Sequence, residues 1–139
     1  LKNLNCNNYF KFYIYLAMKI IVYNYEHQYA LSRKQIETIM SVLPKKYSEL
    51  IREFHILHGE RYLEVFEYSY QEKIVYFLYP VKEKTSEITK DAIVELLIGL
   101  VRIKSKSQFG HKLKDKERVE YLPFVEEWLD KCLFAISKN

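Results

Sequence analysis

Glycine, proline and cysteine are all scarce in this sequence. Its 139 residues include three Gly, three Pro and two Cys. The scattered glycines form no GxGxxG, GxxxxGK[ST] or GxSxG motif, so the loops that cradle nucleotide phosphates or present a catalytic serine are missing. Cys6 and Cys132 lie near opposite ends without CxxC spacing, which argues against a disulfide framework or a zinc knuckle. We therefore expect a protein of the reducing cytoplasm that holds no cofactor.

Long apolar runs are also missing. The apolar stretch 9–23 is interrupted by Lys11 and Lys19 and is shorter than the roughly 20 residues that a membrane helix needs. No small-residue cleavage site follows it, so we expect neither a membrane span nor a secretion signal. Residues 1–17 have the composition of translated AT-rich sequence, and we expect them to be an upstream extension that precedes Met18. Residues 18–139 are then expected to form a single domain.

Tyrosine and phenylalanine are abundant, with 13 and 8 copies, and apolar residues reach 49% of the chain. This composition excludes a disordered protein and favours aromatic strands around a real core. The run 18–25 is rich in Ile, Val and Tyr and predicts a first strand. Ser32 and Gln35 then form a capping-box pattern at the start of a helix. Pro44 interrupts that helical pattern, which predicts either a kink or a second short helix beginning there.

The spacing then changes and predicts strands at 54–57 and 61–70, the second with its aromatic residues on one face. The almost wholly apolar run 74–81 predicts a strand covered on both faces, which forms a hairpin with 61–70. The segment 87–103 is apolar around most of its circumference, so we expect a central buried helix capped by Thr85 or Ser86. A last helix starts at Asp115 and bends near Pro123. Its predicted apolar stripe consists of Val119, Leu122, Phe124, Val125, Trp128, Leu129, Cys132 and Leu133. The expected fold is α+β: a small mixed sheet of about four strands packed against a kinked N-terminal helix, a buried central helix and a C-terminal helix.

Four histidines are the natural candidates for metal ligands. His55 and His58 are three residues apart in a predicted strand, so their side chains point to opposite faces and cannot easily share one ion. We expect both to be surface or edge-strand histidines, and we expect His27 and His111 to be isolated loop residues. The sequence therefore predicts no metal site.

Two further residues have the chemistry of catalytic groups. Cys132 lies on the predicted apolar stripe of the last helix, where a buried structural thiol is expected rather than a nucleophile. Glu95 is the acidic residue inside the otherwise apolar stretch 92–101. It is a weak candidate for a general base, and a position on the exposed edge of the helix is the preferred interpretation.

The order of elements, the segment LPKKYSELI and the tail RVEYLPFVEEW together resemble the minimal zincin-like metallopeptidase domains, over about residues 18–132. In that family the buried helix carries HExxH, whose two histidines bind zinc. The corresponding residues here are Val94-Glu95-Leu96-Leu97-Ile98. The glutamate is kept, but Val94 and Ile98 replace the histidines, and aliphatic side chains have no lone pair to donate. The resemblance therefore implies a catalytically inactive relative.

The segment 102–118 is the one marked charge feature of the chain. Its clustered cations can neutralise phosphates, and an aromatic ring can stack on a base, which suggests salt-sensitive binding of nucleic acid. The alternative is a solvated, lysine-rich helix end, since cations suit a helix C-terminus. The candidate contacts are Arg102, Lys104, Lys106, Phe109, Lys112 and Lys114.

The sequence as a whole favours a non-catalytic protein-interaction or regulatory domain with an unidentified protein partner. Two other function classes stay open at this point. One is a nucleic-acid-binding accessory protein that uses segment 102–118, and the other is a hydrolase whose active site is not recognisable from motifs.

Overall fold

The computed structural model of the chain describes residues 18–23, 29–57, 65–79, 81, 83–105 and 115–138. Within these ranges the chain has the predicted α+β fold, a four-stranded mixed sheet with helices. The predicted extension 1–17 lies outside the described residues. The strands are β1 (Lys19–Val22), β2 (Glu53–Leu57), β3 (Val65–Ser69) and β4 (Ile74–Leu78), and the helices are α1 (Arg33–Val42), α2 (Lys45–Ser48), α3 (Ser86–Ser105) and α4 (Asp115–Ser137).

The strand order in the sheet is β1-β2-β4-β3. Strands β1, β2 and β4 are parallel, and β3 is antiparallel to β4, which confirms the predicted hairpin. Parallel neighbours need a crossover connection, and α1 and α2 lie on the connection between β1 and β2. The hairpin turn ends at Lys73, which has a left-handed φ of 59°. The Lys73 carbonyl accepts backbone hydrogen bonds from Arg52 (2.7 Å) and Glu53 (3.3 Å), and so connects the turn to the start of β2.

Strand register divides the sheet into two faces, because successive side chains point in opposite directions. The first face, here called the core face, belongs to the same buried cluster as the helices. Its registered residues are Ile20, Phe54, Val75 and Tyr68 in one row and Val22, Ile56, Phe77 and Phe66 in the next. The opposite side, here called the second face, carries Ile21, His55, Tyr76 and Glu67 in one row and Lys19, Glu53, Ile74 and Ser69 in another.

The start of α1 confirms the predicted capping box. Ser32 Oγ accepts a hydrogen bond from the Gln35 backbone N–H (3.1 Å), and Gln35 Oε1 accepts one from the Ser32 backbone N–H (2.9 Å). At the other end α1 stops at Val42, and α2 begins immediately after Pro44. Of the two outcomes predicted for Pro44, the structure therefore adopts the second short helix rather than a kinked continuous one.

Helix α3 is the central helix of the core, as predicted. Thr85 caps it, since its Oγ1 accepts a hydrogen bond from the Ile88 backbone N–H (3.1 Å). Ala92, Ile93, Leu96, Leu97 and Leu100 are fully buried. The helix approaches β3 so closely at Gly99 that any added Cβ would meet the ring of Phe66. Glycine is favoured there because the space between the helix and the sheet is too small for a side chain.

Helix α4 runs through Pro123 and packs on α1 and α3. Val125 and Cys132 are buried, and Phe124 contacts Tyr47 with ring centroids 5.2 Å apart. The predicted membership of Leu122 in the buried stripe is wrong, because its side chain is 49% exposed. Tyr121, one position earlier, is buried instead. Within the described residues, no helix combines the length and apolar content of a membrane span.

Candidate functional site

His55 lies on the second face of the sheet, at the centre of a small polar and aromatic cluster. The expectation of a surface or edge-strand histidine is wrong for this residue, because β2 is flanked by β1 and β4 and His55 is only 8% exposed. Its ring contacts Tyr76 edge-on at a centroid distance of 5.1 Å. The Tyr23 ring lies 5.6 Å away on the other side. His58, its proposed companion, lies outside the described residues.

Both nitrogens of the His55 ring face a polar group. Nδ1 shares a 2.9 Å hydrogen bond with the Tyr23 hydroxyl, and Nε2 lies 3.5 Å from Glu53 Oε1. Nε2 is buried and makes no hydrogen bond of ordinary length. The tautomer with a proton on Nε2 matches both neighbours, because Tyr23 O–H then donates to Nδ1 while Nε2–H is directed at a carboxylate. We call these three residues the Tyr23–His55–Glu53 cluster.

The local backbone explains how these side chains meet. Glu53 and His55 are two residues apart in β2, so they share one face of the sheet. Tyr23 directly follows β1, and its backbone N–H donates to the Ile56 carbonyl (3.0 Å), which continues the β1–β2 pairing. That pairing carries the tyrosine ring alongside His55. Sheet register, rather than sequence proximity, therefore assembles the cluster.

A cation holds the carboxylate of Glu53 in place. Arg52 Nη2 lies 3.1 Å from Glu53 Oε2, and Arg52 Nε donates to the Glu72 carbonyl at 3.2 Å. Glu53 is only 17% exposed, whereas Arg52 is 61% exposed. Lys19 is in register with Glu53 on the neighbouring strand. The Glu53 carboxylate therefore has its two oxygens directed at different partners, one at Arg52 and one at His55.

A hydroxyl, an imidazole and a carboxylate in this order can move a proton. The imidazole can accept a proton from the phenol, and the carboxylate orients the ring and stabilises the imidazolium that forms. Tyr23 is 45% exposed, so this end of the cluster is open to solvent while the base is buried. The arrangement is suited to binding or reacting with a group that approaches Tyr23.

The cluster was only partly visible in the sequence. The sequence offers His55 as a candidate metal ligand, and strand alternation alone shows that Glu53 shares its face. The pattern around Tyr23 predicts only its place in the first strand. Its meeting with His55 depends on β1 lying beside β2 in one register, and no local pattern specifies that pairing.

The candidates in the basic segment separate into described and undescribed residues. Lys104 is exposed, whereas Arg102 is only 8% exposed. The Arg102 charge lies close enough to Tyr70 to oppose the effect of burial, which raises the pKa of that tyrosine. The burial of Arg102 gives a phosphate little access to its guanidinium. Lys106, Phe109, Lys112 and Lys114 lie outside the described residues.

Helix α3, for which the sequence predicts a degenerate zincin motif, contributes to the core. Ile98 is 7% exposed, and Val94 packs partly buried against the core cluster. Glu95 is half-buried rather than fully exposed. Among the residues that the structure describes, no three His, Cys, Asp or Glu side chains converge in a way that could hold a metal ion.

Cys132 is a buried, free thiol, which confirms the sequence prediction. Burial raises its pKa to about 11, so the reactive thiolate is scarce at neutral pH.

A polar cleft of about 220 Å³ lies at the start of α1, between Ser32, Lys34, Gln35, Thr38, Lys84 and Ile136. Lys84 Nζ donates there to Gln35 Oε1 at 2.7 Å, so the lysine supports the capping box.

No protein-family model, curated protein or solved structure matches this chain. The resemblance to zincin-like domains stays a prediction. The functional proposals below start from the Tyr23–His55–Glu53 cluster.

Proposed function

We propose that this chain is a non-catalytic protein-interaction domain that binds its partner through the exposed residues of the second face, Lys19, Tyr23 and Glu67. The observation that supports this role is the half-exposed Tyr23 ring, fixed by its hydrogen bond to the buried His55. Ile21 and Tyr76 lie half-buried next to His55 in the same row. Tyrosine is enriched in protein interfaces, and a ring that is already fixed loses little side-chain entropy on binding.

The charges on this face favour a protein partner over a nucleic acid. Lys19 and Glu67 are both exposed on the second face, and Arg52 is paired with Glu53 at its edge. A phosphate backbone would meet the carboxylates of Glu53 and Glu67 as well as the cations, which opposes the charge neutralisation that drives such binding. A protein surface with apolar side chains and charges of both signs suits this mixture.

An inactive zincin-like origin is compatible with the same role. Val94 and Ile98 stand where the family's metal-binding histidines would be, and both pack on the core. Aliphatic side chains there contribute to stability and leave no zinc ligand. A domain that lost its metal site could retain the fold as an interaction module.

Site-specific photo-crosslinking tests the proposal. The photoreactive residue p-benzoylphenylalanine replaces Glu67 on the second face in one variant and Asp130, exposed on α4, in a matched control. We expect the Glu67 variant to form an adduct with one protein in cells that the control does not form. That protein is then purified and titrated against the wild-type chain.

The titration includes a matched pair of tyrosine variants. Tyr23 and Tyr70 are 45% and 46% exposed, but Tyr70 lies at the end of the hairpin strand and bonds the Ile103 carbonyl instead. Tyr23→Ser should weaken binding by roughly tenfold or more, as loss of an interface hot spot does, while Tyr70→Ser should leave it unchanged. Equal adducts from both crosslinking positions, or equal losses from both serine variants, would contradict the proposal.

The nucleic-acid alternative has a separate test. If segment 102–118 bound nucleic acid, affinity for a labelled oligonucleotide would fall steeply with salt, because phosphate contacts release counterions. Charge reversal at Lys104, Lys106, Lys112 and Lys114 would then abolish binding. Salt-independent or absent binding would remove this alternative and leave the second face as the proposed binding surface.

A further inference from the structure

The exposed phenol of Tyr23 is hydrogen-bonded to a buried base. Its hydroxyl lies 2.9 Å from His55 Nδ1, and the opposite ring nitrogen is directed at the Glu53 carboxylate. A hydroxyl in contact with an imidazole that a third group orients is the general arrangement of an activated oxygen nucleophile. The protein-interaction role uses the fixed position of the ring, but it does not require the hydrogen-bond acceptor to be a base.

Tyr70 provides an internal comparison. Its ring is as exposed as that of Tyr23, and its hydroxyl also makes a hydrogen bond, to the Ile103 carbonyl at 3.3 Å. A carbonyl oxygen accepts a hydrogen bond but cannot take the proton at neutral pH, whereas a neutral imidazole can. The two tyrosines therefore differ in the basicity of the group that receives the hydroxyl hydrogen, at the same accessibility.

We propose that Tyr23 is a modification site that accepts an acyl group from a thioester or another activated ester, with His55 as the general base. The phenolic oxygen of Tyr23 attacks the acyl carbon while its proton passes to His55 Nδ1. The new O–acyl bond forms as the bond to the thiolate or alkoxide breaks. The leaving group then takes the proton from His55 and departs as the free thiol or alcohol, and the imidazole is neutral again.

Charge favours an acyl donor over a phosphoryl donor. The reacting carbon of a thioester is uncharged, so its approach to the second face is not opposed by the carboxylates of Glu53 and Glu67. A phosphoryl donor brings several negative charges and needs cations aimed at the transferred group. The guanidinium of Arg52 is already engaged by Glu53 at 3.1 Å. Glu53 is a positioning residue here, since it acts through His55.

The experiment uses p-nitrophenyl acetate as the acyl donor and the full chain at neutral pH. Tandem mass spectrometry follows O-acetylation of Tyr23 and Tyr70 with time, and hydroxylamine, which removes acetyl groups from tyrosine but not from lysine, identifies the esters. We expect Tyr23 to be acetylated roughly a hundredfold faster than Tyr70, the lower end of the range for general-base assistance.

Variants separate the base from simple accessibility. His55→Gln should bring the Tyr23 to Tyr70 rate ratio close to one, and Glu53→Gln should lower it by less. Because substitution of a buried residue can unfold the domain, the wild-type ratio is decisive by itself. Equal rates at the two tyrosines of the folded wild-type chain would overturn the assignment. This outcome says nothing against the interface, which depends on the ring of Tyr23 rather than on its reactivity.

Discussion

Substitution of Gly99 by alanine is expected to destabilise the domain, although alanine is the better helix former. Gly99 is buried in α3 where the helix crosses β3. An added Cβ would lie 2.6 Å from Cδ2 of Phe66 and closer still to its Cγ and Cδ1. Real Cβ contacts are not this short, so the phenylalanine ring or the helix must shift.

Two opposing terms determine the size of the effect. Alanine in a helix interior is favoured over glycine by about 1 kcal/mol. Overpacking of a closely packed contact costs about 1–3 kcal/mol. The overlap includes Cγ of Phe66, and rotation about the ring axis does not move Cγ away, so the upper part of that range applies. The net expectation is a free energy of unfolding lower by about 2 kcal/mol.

Urea unfolding followed by circular dichroism measures this change, and a double-mutant cycle identifies its cause. In a Phe66→Ala background the ring is gone, so the same glycine-to-alanine change should become stabilising by about 1 kcal/mol, the propensity term alone. A Gly99→Ala variant as stable as the wild type, or equal effects in the two backgrounds, would refute the steric argument.

Three further predictions concern a cap, a buried hydroxyl and a buried thiol. Ser32→Ala removes one half of the capping box and should lower the unfolding free energy by about 1 kcal/mol in urea titrations, with no change in the m-value. Tyr68→Phe removes the hydroxyl that donates to the Leu50 carbonyl and leaves a buried acceptor, which should cost about 1–2 kcal/mol in the same assay. Burial raises the pKa of Cys132 from 9.0 to about 11, so its contribution to stability is complete below pH 9.0 and is lost as pH rises towards about 11. The decline of the unfolding free energy across this pH interval should be smaller in Cys132→Ala than in the wild type. A disulfide reagent should modify the wild-type thiol only after unfolding. Equal declines in the two proteins, or fast modification of the native thiol, would contradict the burial argument.

Local signals in the sequence predicted those elements whose causes are themselves local. Ser32 with Gln35 predicted the start of α1, and the capping box is observed there. Thr85 is one of the two caps predicted for α3, and it is the one that bonds the Ile88 backbone. The hairpin followed from an alternating run and an apolar run separated by a polar break. In each of these cases the residues that determine the structure lie within a few positions of one another.

Features that depend on distant segments were predicted less well. At Pro44 the sequence allowed either a kink or a new helix. The new helix forms, and its Tyr47 packs against Phe124 of α4. Leu122 belongs to an apolar pattern, but the neighbours of α4 bury Tyr121 instead. His55 was expected at a surface or an edge because strand order cannot be deduced from strand patterns, and its burial results from β1 and β4 on either side.

The candidate site shows the same division. The common face of Glu53 and His55 follows from strand alternation alone. Tyr23 reaches His55 because Ile21 is in register with His55 on the neighbouring strand. Packing of the core face fixes this register. Sequence patterns could therefore supply the base and its orienting carboxylate, but not the hydroxyl that reaches them.

The hydrogen bonds of the Lys73 carbonyl have a consequence for how the sheet assembles. Pairing of β3 with β4 closes a short loop. Pairing of β2 with β4 closes a longer loop that contains β3, and pairing of β1 with β2 closes one that contains two helices. Short loops close at lower entropic cost, so we expect the hairpin to form early and β1 to join last. The carbonyl at the end of the turn then offers the first acceptor to Arg52 and Glu53, which aligns β2 with β4. Pulse-labelled hydrogen exchange during refolding should show amide protection in β4 before β1, with the Lys73 turn as the point from which the sheet grows.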